Sequence, residues 1–432
     1  MKTTRHISRR NFIKATSALA AAAPFILPSR VWGAKTAPSE RLTMGFIGLG
    51  KQARDLMHNF LWQETRVLAV CDVDLNRRND AKQTVDKFYS NSDCVTYDDF
   101  RDLIARTDID AVCIATPDHW HAIPTLAALR AGKDVYCEKP LTHNIHEAVQ
   151  VMKTVHAKKR VLQTGSMQRS MSEFRVACEL ALNGVIGRIQ KVECGFGDPG
   201  RPCDLPEEAM EPGLDWNRWC GPGPWRGYSS VLSPRGVHDN YPAWRNYREY
   251  GGGGVCDFGA HQLDIAQWGL GMDDSGPVEV IPPDDPNAKR GMKLVYASGV
   301  IVEHVEHTSG VGVDFFGTDG RVRVDRGQFK LTLGGKIIED SHEAERLYLA
   351  NAPVKLYVSK QHLSDFLACV KSRRKPVANE QVGARTAICC HLMNQSYYHH
   401  ARLKWNPAKC KFAGGAGDPK WLTREYRAPW SV

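Results

Sequence analysis

No apolar run in this chain is long enough to cross a bilayer. The run from Ala18 to Leu27 falls well short of the roughly 20 residues a spanning helix needs, and Pro24 interrupts it while Pro28 closes it. Stable membrane insertion is therefore not expected. A strong excess of one charge is also lacking. Residues 1–33 hold six Lys or Arg and no acid, so without them the formal +9 falls to 51 basic against 48 acidic side chains. That balance gives no support to nucleic-acid binding. Zinc-type Cys/His spacing is missing, and no metal is expected. The 13 cysteines are odd in number, and Cys71, Cys113, Cys389 and Cys390 sit in apolar runs, so they read as buried thiols rather than a disulfide framework.

What the N-terminus does hold is a twin arginine, in Ser8-Arg9-Arg10-Asn11-Phe12-Ile13-Lys14, ahead of the alanine-rich stretch, with the small residues Gly33 and Ala34 at the expected cut. Residues 1–33 read as a cleavable twin-arginine signal, with the export machinery as partner and the periplasm or cell exterior as destination. Folding in the reducing cytoplasm before export would leave the thiols free.

About 400 residues follow the leader, which suggests two domains. Over 40–165, β-rich runs (Leu42 to Ile47, Arg66 to Cys71, Ala111 to Ala115, Asp134 to Cys137, Val161 to Thr164) alternate with helical stretches and predict a doubly wound parallel sheet. Over 166–432 the pattern changes. A strand near Val192 to Phe196 leads into a Trp-, Pro- and Gly-rich segment, 199–254, which is not expected to be ordinary core. Runs at Lys293 to Val305, Gly312 to Phe316, Val322 to Val324 and Lys330 to Leu333 predict a second, largely antiparallel sheet, followed by helices near Ser359 to Ser372 and Gly383 to His400.

The first strand ends in Gly48-Leu49-Gly50-Lys51-Gln52-Ala53, which has a tight-turn glycine, a glycine for close approach to a pyrophosphate and a small residue for helix packing. Asp72 closes the next strand, where an acid accepts from a ribose 2'-hydroxyl and repels a 2'-phosphate. NAD is the expected cofactor, held tightly because a compartment outside the cytoplasm offers no dependable pool of free nicotinamide cofactor. Arg77 and Arg78 are close enough in sequence to admit NADP.

Two further strand ends carry polar residues at the sheet edge where ligands bind: Thr116 and Pro117, with His121 just beyond, and Glu138-Lys139-Pro140. A lysine there can orient a hydroxyl. Then Gly251 to Gly254 turns into a helix that would carry Asp257, His261 and Asp264 on one face. A histidine is the natural acceptor for a carbinol proton, and a neighbouring carboxylate can hold it. His238, Asp239, Trp244 and Arg245 precede that turn as candidate substrate contacts, Arg245 for gripping hydroxyls or an acidic group. Trp216, Trp219 and Trp225 either stack on sugar faces or cover a sheet.

The glycine turn, the Glu138-Lys139-Pro140 tripeptide and the glycine run leading to Asp257 and His261, in that order, resemble the Gfo/Idh/MocA oxidoreductase family over essentially the whole mature chain. The resemblance implies a Rossmann domain for NAD or NADP, and a C-terminal α/β domain with an open sheet that often forms a dimer or tetramer interface. It makes Lys139 the substrate-orienting lysine, His261 the acid/base, Asp257 their acidic neighbour and Asp264 structural. Sugars and polyols are the implied substrates.

The expected activity is oxidation of a ring hydroxyl of a sugar or glycoside, with C3 as one position. A redox-neutral glycosidase is the alternative: oxidation at C3 acidifies the C2 proton, elimination cleaves the glycosidic bond, and hydration and re-reduction follow. Tyr241, His238 and Asp239 are its candidate bases. A non-catalytic sugar-binding protein on the same fold is a third reading, against which Lys139 and His261 both stand.

Overall fold

The computed structural model describes residues 41–63, 65–306 and 310–432. The leader with Arg9 and Arg10 lies outside the described residues. Strands β1 (Thr43–Ile47), β2 (Arg66–Cys71), β3 (Val95–Tyr97), β4 (Ala111–Ile114), β5 (Asp134–Cys137) and β6 (Leu162–Thr164) form a wholly parallel sheet in the order β3-β2-β1-β4-β5-β6. Its central strands are near-continuous apolar runs because they feed two cores. Met44, Phe46 and Cys113 point to one side, and Ile47, Val112 and Ile114 to the other. The strand order reverses between β1 and β4, which opens a crevice at their carboxyl ends. β3 escaped the sequence reading because three residues carry no readable period.

The second sheet has ten strands: β7 (Ile189–Gly195), β8 (Glu279–Ile281), β9 (Lys293–Val295), β10 (Ile301–Val305), β11 (Gly312–Gly317), β12 (Gly320–Asp325), β13 (Gln328–Leu333), β14 (Lys336–Ile338), β15 (Leu403–Asn406) and β16 (Lys411–Phe412). Their order is β14-β13-β12-β11-β7-β10-β9-β8-β15-β16, with every pair antiparallel except β7 and β10. One expectation is corrected here. Lys293 to Val305 is a hairpin, not one strand, because Gly299 at φ +84° turns the chain between β9 and β10. The helices Ser172–Leu182 and Phe258–Gly269 pack on this sheet. Among the described residues no helix is long and apolar enough to cross a membrane.

The Trp-rich segment 199–254 is a second correction, since it builds a small core of its own. Trp216, Trp219, Tyr228, Trp244, Tyr247 and Tyr250 are buried together, and the Trp216 and Trp219 rings stack at 4.4 Å with an interplanar angle of 14°. Local composition suggested a loop, but burying so many aromatic rings stabilises a folded segment even with little regular secondary structure.

Candidate active site

The crevice holds a cavity of about 450 Å³, walled by the turns after β1, β2, β4 and β5, by the Trp-rich segment and by the start of helix Phe258–Gly269. Its floor is main chain. Gly48 has φ +82°, and a Cβ there would lie 2.7 Å from the Thr116 amide nitrogen, so only glycine fits. At Gly50 a Cβ would meet no atom within 4 Å, which leaves a vacant cradle in front of helix Lys51–Trp62. No side chain caps that helix, so its first amides are free for an anion. Ala53 is fully buried and lets the helix pack closely.

Asp72 Oδ2 accepts from the Leu49 amide at 2.7 Å and Oδ1 from the Asp74 amide at 2.9 Å. Burial raises its carboxyl above the usual range, and the nearby Arg77 opposes that. Both neighbouring arginines are committed elsewhere. Arg77 pairs with Asp74 and donates to Ser233 Oγ and to the Pro234 carbonyl at 3.2 and 2.7 Å, while Arg78 donates to the Asp72 carbonyl at 2.5 Å. The Thr116 hydroxyl is buried without a partner. Free amides, an open cradle, an acid at the end of β2 and an orphaned hydroxyl together fit a dinucleotide.

Several predicted residues in this wall prove to be braces. His121 faces two carbonyls, Pro140 at 2.6 Å and Thr116 at 2.9 Å, and burial lowers its imidazole to about 4. Gln52 donates to Glu138 Oε1 at 3.2 Å and accepts from the Tyr241 hydroxyl at 3.3 Å. Lys51 is paired with Asp55 at 2.9 Å. Pro117 lines the cavity.

Lys139 Nζ donates to Asp257 Oδ1, and at 3.3 Å to the Asp257 carbonyl. Burial works against the Asp257 charge, but Lys139 and Arg245 outweigh it and hold the carboxyl below the usual range. His261 lies within the helix Phe258–Gly269, buried, with Nδ1 lacking any partner; Asp257 is corrected from the helix face to the non-helical residue before it, at φ −84° and ψ −95°. Burial, with Lys139 and Arg326 adding to it, drives the imidazole well below 6.5, which favours its neutral form. Asp264 is structural: Arg169 Nε donates to both of its oxygens, at 3.0 and 2.9 Å, in the interior. The glycine run serves close approach, since a Cβ on Gly253 would lie 2.3 Å from the Gly200 amide.

On the substrate side, the Arg245 guanidinium lies 4.2 Å from the Trp244 ring and 5.3 Å from the Tyr241 ring, with Nε 3.9 Å from Asp257 Oδ1. His238 lines the cavity with a buried, unpartnered Nδ1. Asp239 does not line it. Its exposed carboxylate instead takes Arg54 at 2.8 Å and fastens the segment to the first helix. Trp216 is spent on packing, Trp219 reaches the cavity only as part of that stack, and Trp225 is exposed away from it.

The sequence reading gave no role to three features. Asp118 is buried in the cavity wall, where desolvation pushes its carboxyl well up. Arg326 arrives from the β12–β13 turn. Beneath Asp257, Cys256 Sγ faces His391 Nδ1 at 3.9 Å and accepts from Asn394 at 3.4 Å. A hydrogen bond with Cys390 and the charge on His391 hold the Cys256 thiol down, and the thiolate raises the imidazole in return. His391 Nε2 donates to the Thr142 carbonyl at 2.8 Å, so this pair links the Lys139 loop to the Asp257 turn. A lone histidine in an apolar helix gave no signal of it.

Family models match residues 42–166, as an oxidoreductase family with an NAD-binding Rossmann fold, and 185–432, as the C-terminal α/β domain of the same oxidoreductase family. An inositol 2-dehydrogenase of Rhodococcus erythropolis is 39% identical over 102 residues, which is 23% of this chain and 30% of that protein. A glycosyl hydrolase family 109 protein of Shewanella baltica is 28% identical over 216 residues, 44% of this chain and 46% of that protein. The matches thus span less than half the length of these curated relatives. The aldose-aldose oxidoreductase of Caulobacter crescentus superposes with a TM-score of 0.58 at 19% identity, covering 84% of this chain and 99% of that one, a likeness of fold. On the two family models, which together take in both sheets, the chain belongs to the Gfo/Idh/MocA oxidoreductase family.

Proposed function

We propose that this chain is an exported NAD-dependent oxidoreductase that acts on a ring hydroxyl of a saccharide and keeps its nucleotide between half-reactions. The observation that carries the reading is the meeting, in one cavity, of the paired Lys139 and Asp257, the His261 side chain and the open glycine cradle. Bound NAD supplies a hydride acceptor. Lys139, held in place by Asp257, donates to the substrate oxygen, and His261 takes the hydroxyl proton as the carbonyl forms. The names of the relatives, an inositol dehydrogenase and an aldose oxidoreductase, support a polyol or sugar.

NAD over NADP is supported by Asp72 and by the prior commitments of Arg77 and Arg78. Retention is supported by the Trp-rich segment, which is tied across the cleft through Arg54 to the His238 carbonyl at 2.6 Å, Arg77 to Pro234 and Arg218 to the Asp98 carbonyl at 3.2 Å. Export by the twin-arginine route and assembly as a dimer or tetramer belong to the same reading. Normal export of an Arg9→Lys, Arg10→Lys double variant would remove the first, and a monomer by light scattering the second.

A redox-neutral glycosidase is the second reading, favoured by the family 109 relative and by Tyr241 and His238 at the cavity. Asp239 drops out of its candidate bases. An aryl glycoside added to the nucleotide-loaded protein separates the two. NADH absorbance with the glycoside intact supports the dehydrogenase, aryl release without net NADH supports the glycosidase, and neither outcome removes both.

A further inference from the structure

The substrate end of the cavity presents two guanidiniums, Arg245 and Arg326, that donate no hydrogen bond to a carboxylate among the described residues. Lys139, Arg245 and Arg326 all act on one carboxylate, Asp257, and only Lys139 donates a hydrogen bond to it. Arg245 is fixed by its aromatic neighbours and by donation to the Pro242 carbonyl at 3.2 Å, and its 3.9 Å separation from Asp257 is beyond hydrogen-bond reach. Arg326 occupies the two-residue turn Arg326-Gly327 between β12 and β13, with Gly327 at φ +68°. That turn is pinned by the Arg326 amide to Asp325 at 2.8 Å and by the Gly327 amide to Glu173 at 3.1 Å. Its guanidinium sits 5.3 Å from the Phe258 ring, itself 6.1 Å from the His261 ring. Among the described residues Arg326 makes no ion pair. Burial pushes the Glu138 and Asp118 carboxyls up, and Lys139 and Arg245 oppose that at both.

Pyrophosphate neutralisation does not account for these arginines, since the glycine cradle and helix N-terminus belong to the β1 end of the cleft. Planar guanidinium forks held on aromatic faces are suited to an oxyanion, which they bind through two parallel charge-assisted hydrogen bonds. We propose that the saccharide taken by this site carries an oxyanion substituent, such as a uronate carboxylate, received by Arg245 and Arg326 on either side of the catalytic helix. This rests on the saccharide reading above and names its substrate class.

The test is calorimetric binding of matched methyl glycosides to the mature, nucleotide-loaded protein: the neutral sugar, its uronate and its 6-sulfate, in gluco, galacto and manno forms. The expected result is that at least one charged member binds about tenfold or more tightly than its neutral partner. Arg326→Gln and Arg245→Gln should each remove most of that preference, with Arg326→Lys retaining part of it and the melting temperature of the Arg326 variants unchanged. A uronate-only preference identifies a carboxylate, and equal gain from the sulfate identifies a general oxyanion; either supports the proposal. Preferences within about twofold in every set, or a preference that survives both substitutions, would overturn it. Binding and turnover separate this inference from the parent reading. Selective binding of the acid with no redox change would sink the oxidoreductase reading alone, while oxidation of neutral sugars without selectivity would sink the acidic-substrate reading alone.

Discussion

The two ends of the cavity are built from different materials. The cofactor end is main chain: two glycines, the amides of a helix start and a single carboxylate within one stretch from Gly48 to Asp72. The substrate end is side chain, with ions and an imidazole contributed by segments as far apart as Lys139, Arg245, His261 and Arg326. A site made of backbone is insensitive to most side-chain changes, but at Gly48 it has no room for an added Cβ. A site made of ions behaves in the opposite way, because removing one partner leaves the other buried and unmatched.

The largest effect expected from breaking this contrast is at the substrate end. His261→Ala should lower kcat by about 10²- to 10⁴-fold while the nucleotide stays bound, as read by its absorbance after gel filtration. Loss of nucleotide in that variant would mean that the two ends are not separate. Next comes Gly48→Ala, where the left-handed backbone costs roughly 1–2 kcal/mol and the clash with Thr116 adds to it. Its nucleotide content should fall sharply, and a variant purified with full nucleotide would contradict the backbone account.

Acid should loosen the join between the ends. His119 faces the Trp219 and Tyr250 carbonyls, and burial lowers it to about 3; His121 is lowered to about 4. Both are neutral when folded and take up a proton when unfolded below 6.5, so the unfolded state gains protons as pH falls. Each should therefore subtract up to about 1.4 kcal/mol of stability per pH unit from 6.5 down to its folded value. Melting curves between pH 7 and 4 should show this fall, with a shallower slope in His119→Gln; a flat profile would mean that these rings are not buried neutral. The smallest effect is expected at Asp72→Ser, which should weaken NAD about tenfold with little change for NADP in equilibrium titrations. Equal losses would mean that Asp72 serves only the Leu49 amide.

The same contrast governs what could be read from the sequence. Five strands of the six-stranded sheet were legible because each is a local apolar run, unlike the three-residue β3, and Gly48, Gly50 and Asp72 because their spacing is set by one βαβ unit. Lys139, Asp257 and His261 were found through short motifs, and the structure brings them into one cavity. Partnership between distant segments left no local trace. Arg54 claims Asp239, Trp216 and Trp219 stack on each other, and His391 sits under Asp257 only because the helix Glu380–His399 is docked there. Arg326 looked like one more charged residue in a strand-rich tail until the hairpin placed it at the cavity.

The central claim is that one cavity holds a nucleotide and reduces it through His261. The direct measurement is to gel-filter the mature protein, add an oxidisable saccharide with no cofactor, and follow NADH absorbance against protein concentration. The account predicts a stoichiometric band in the wild type and none in His261→Ala, with bound nucleotide present in both. A wild-type protein that carries no nucleotide, or a His261→Ala variant that forms NADH equally fast, would contradict it.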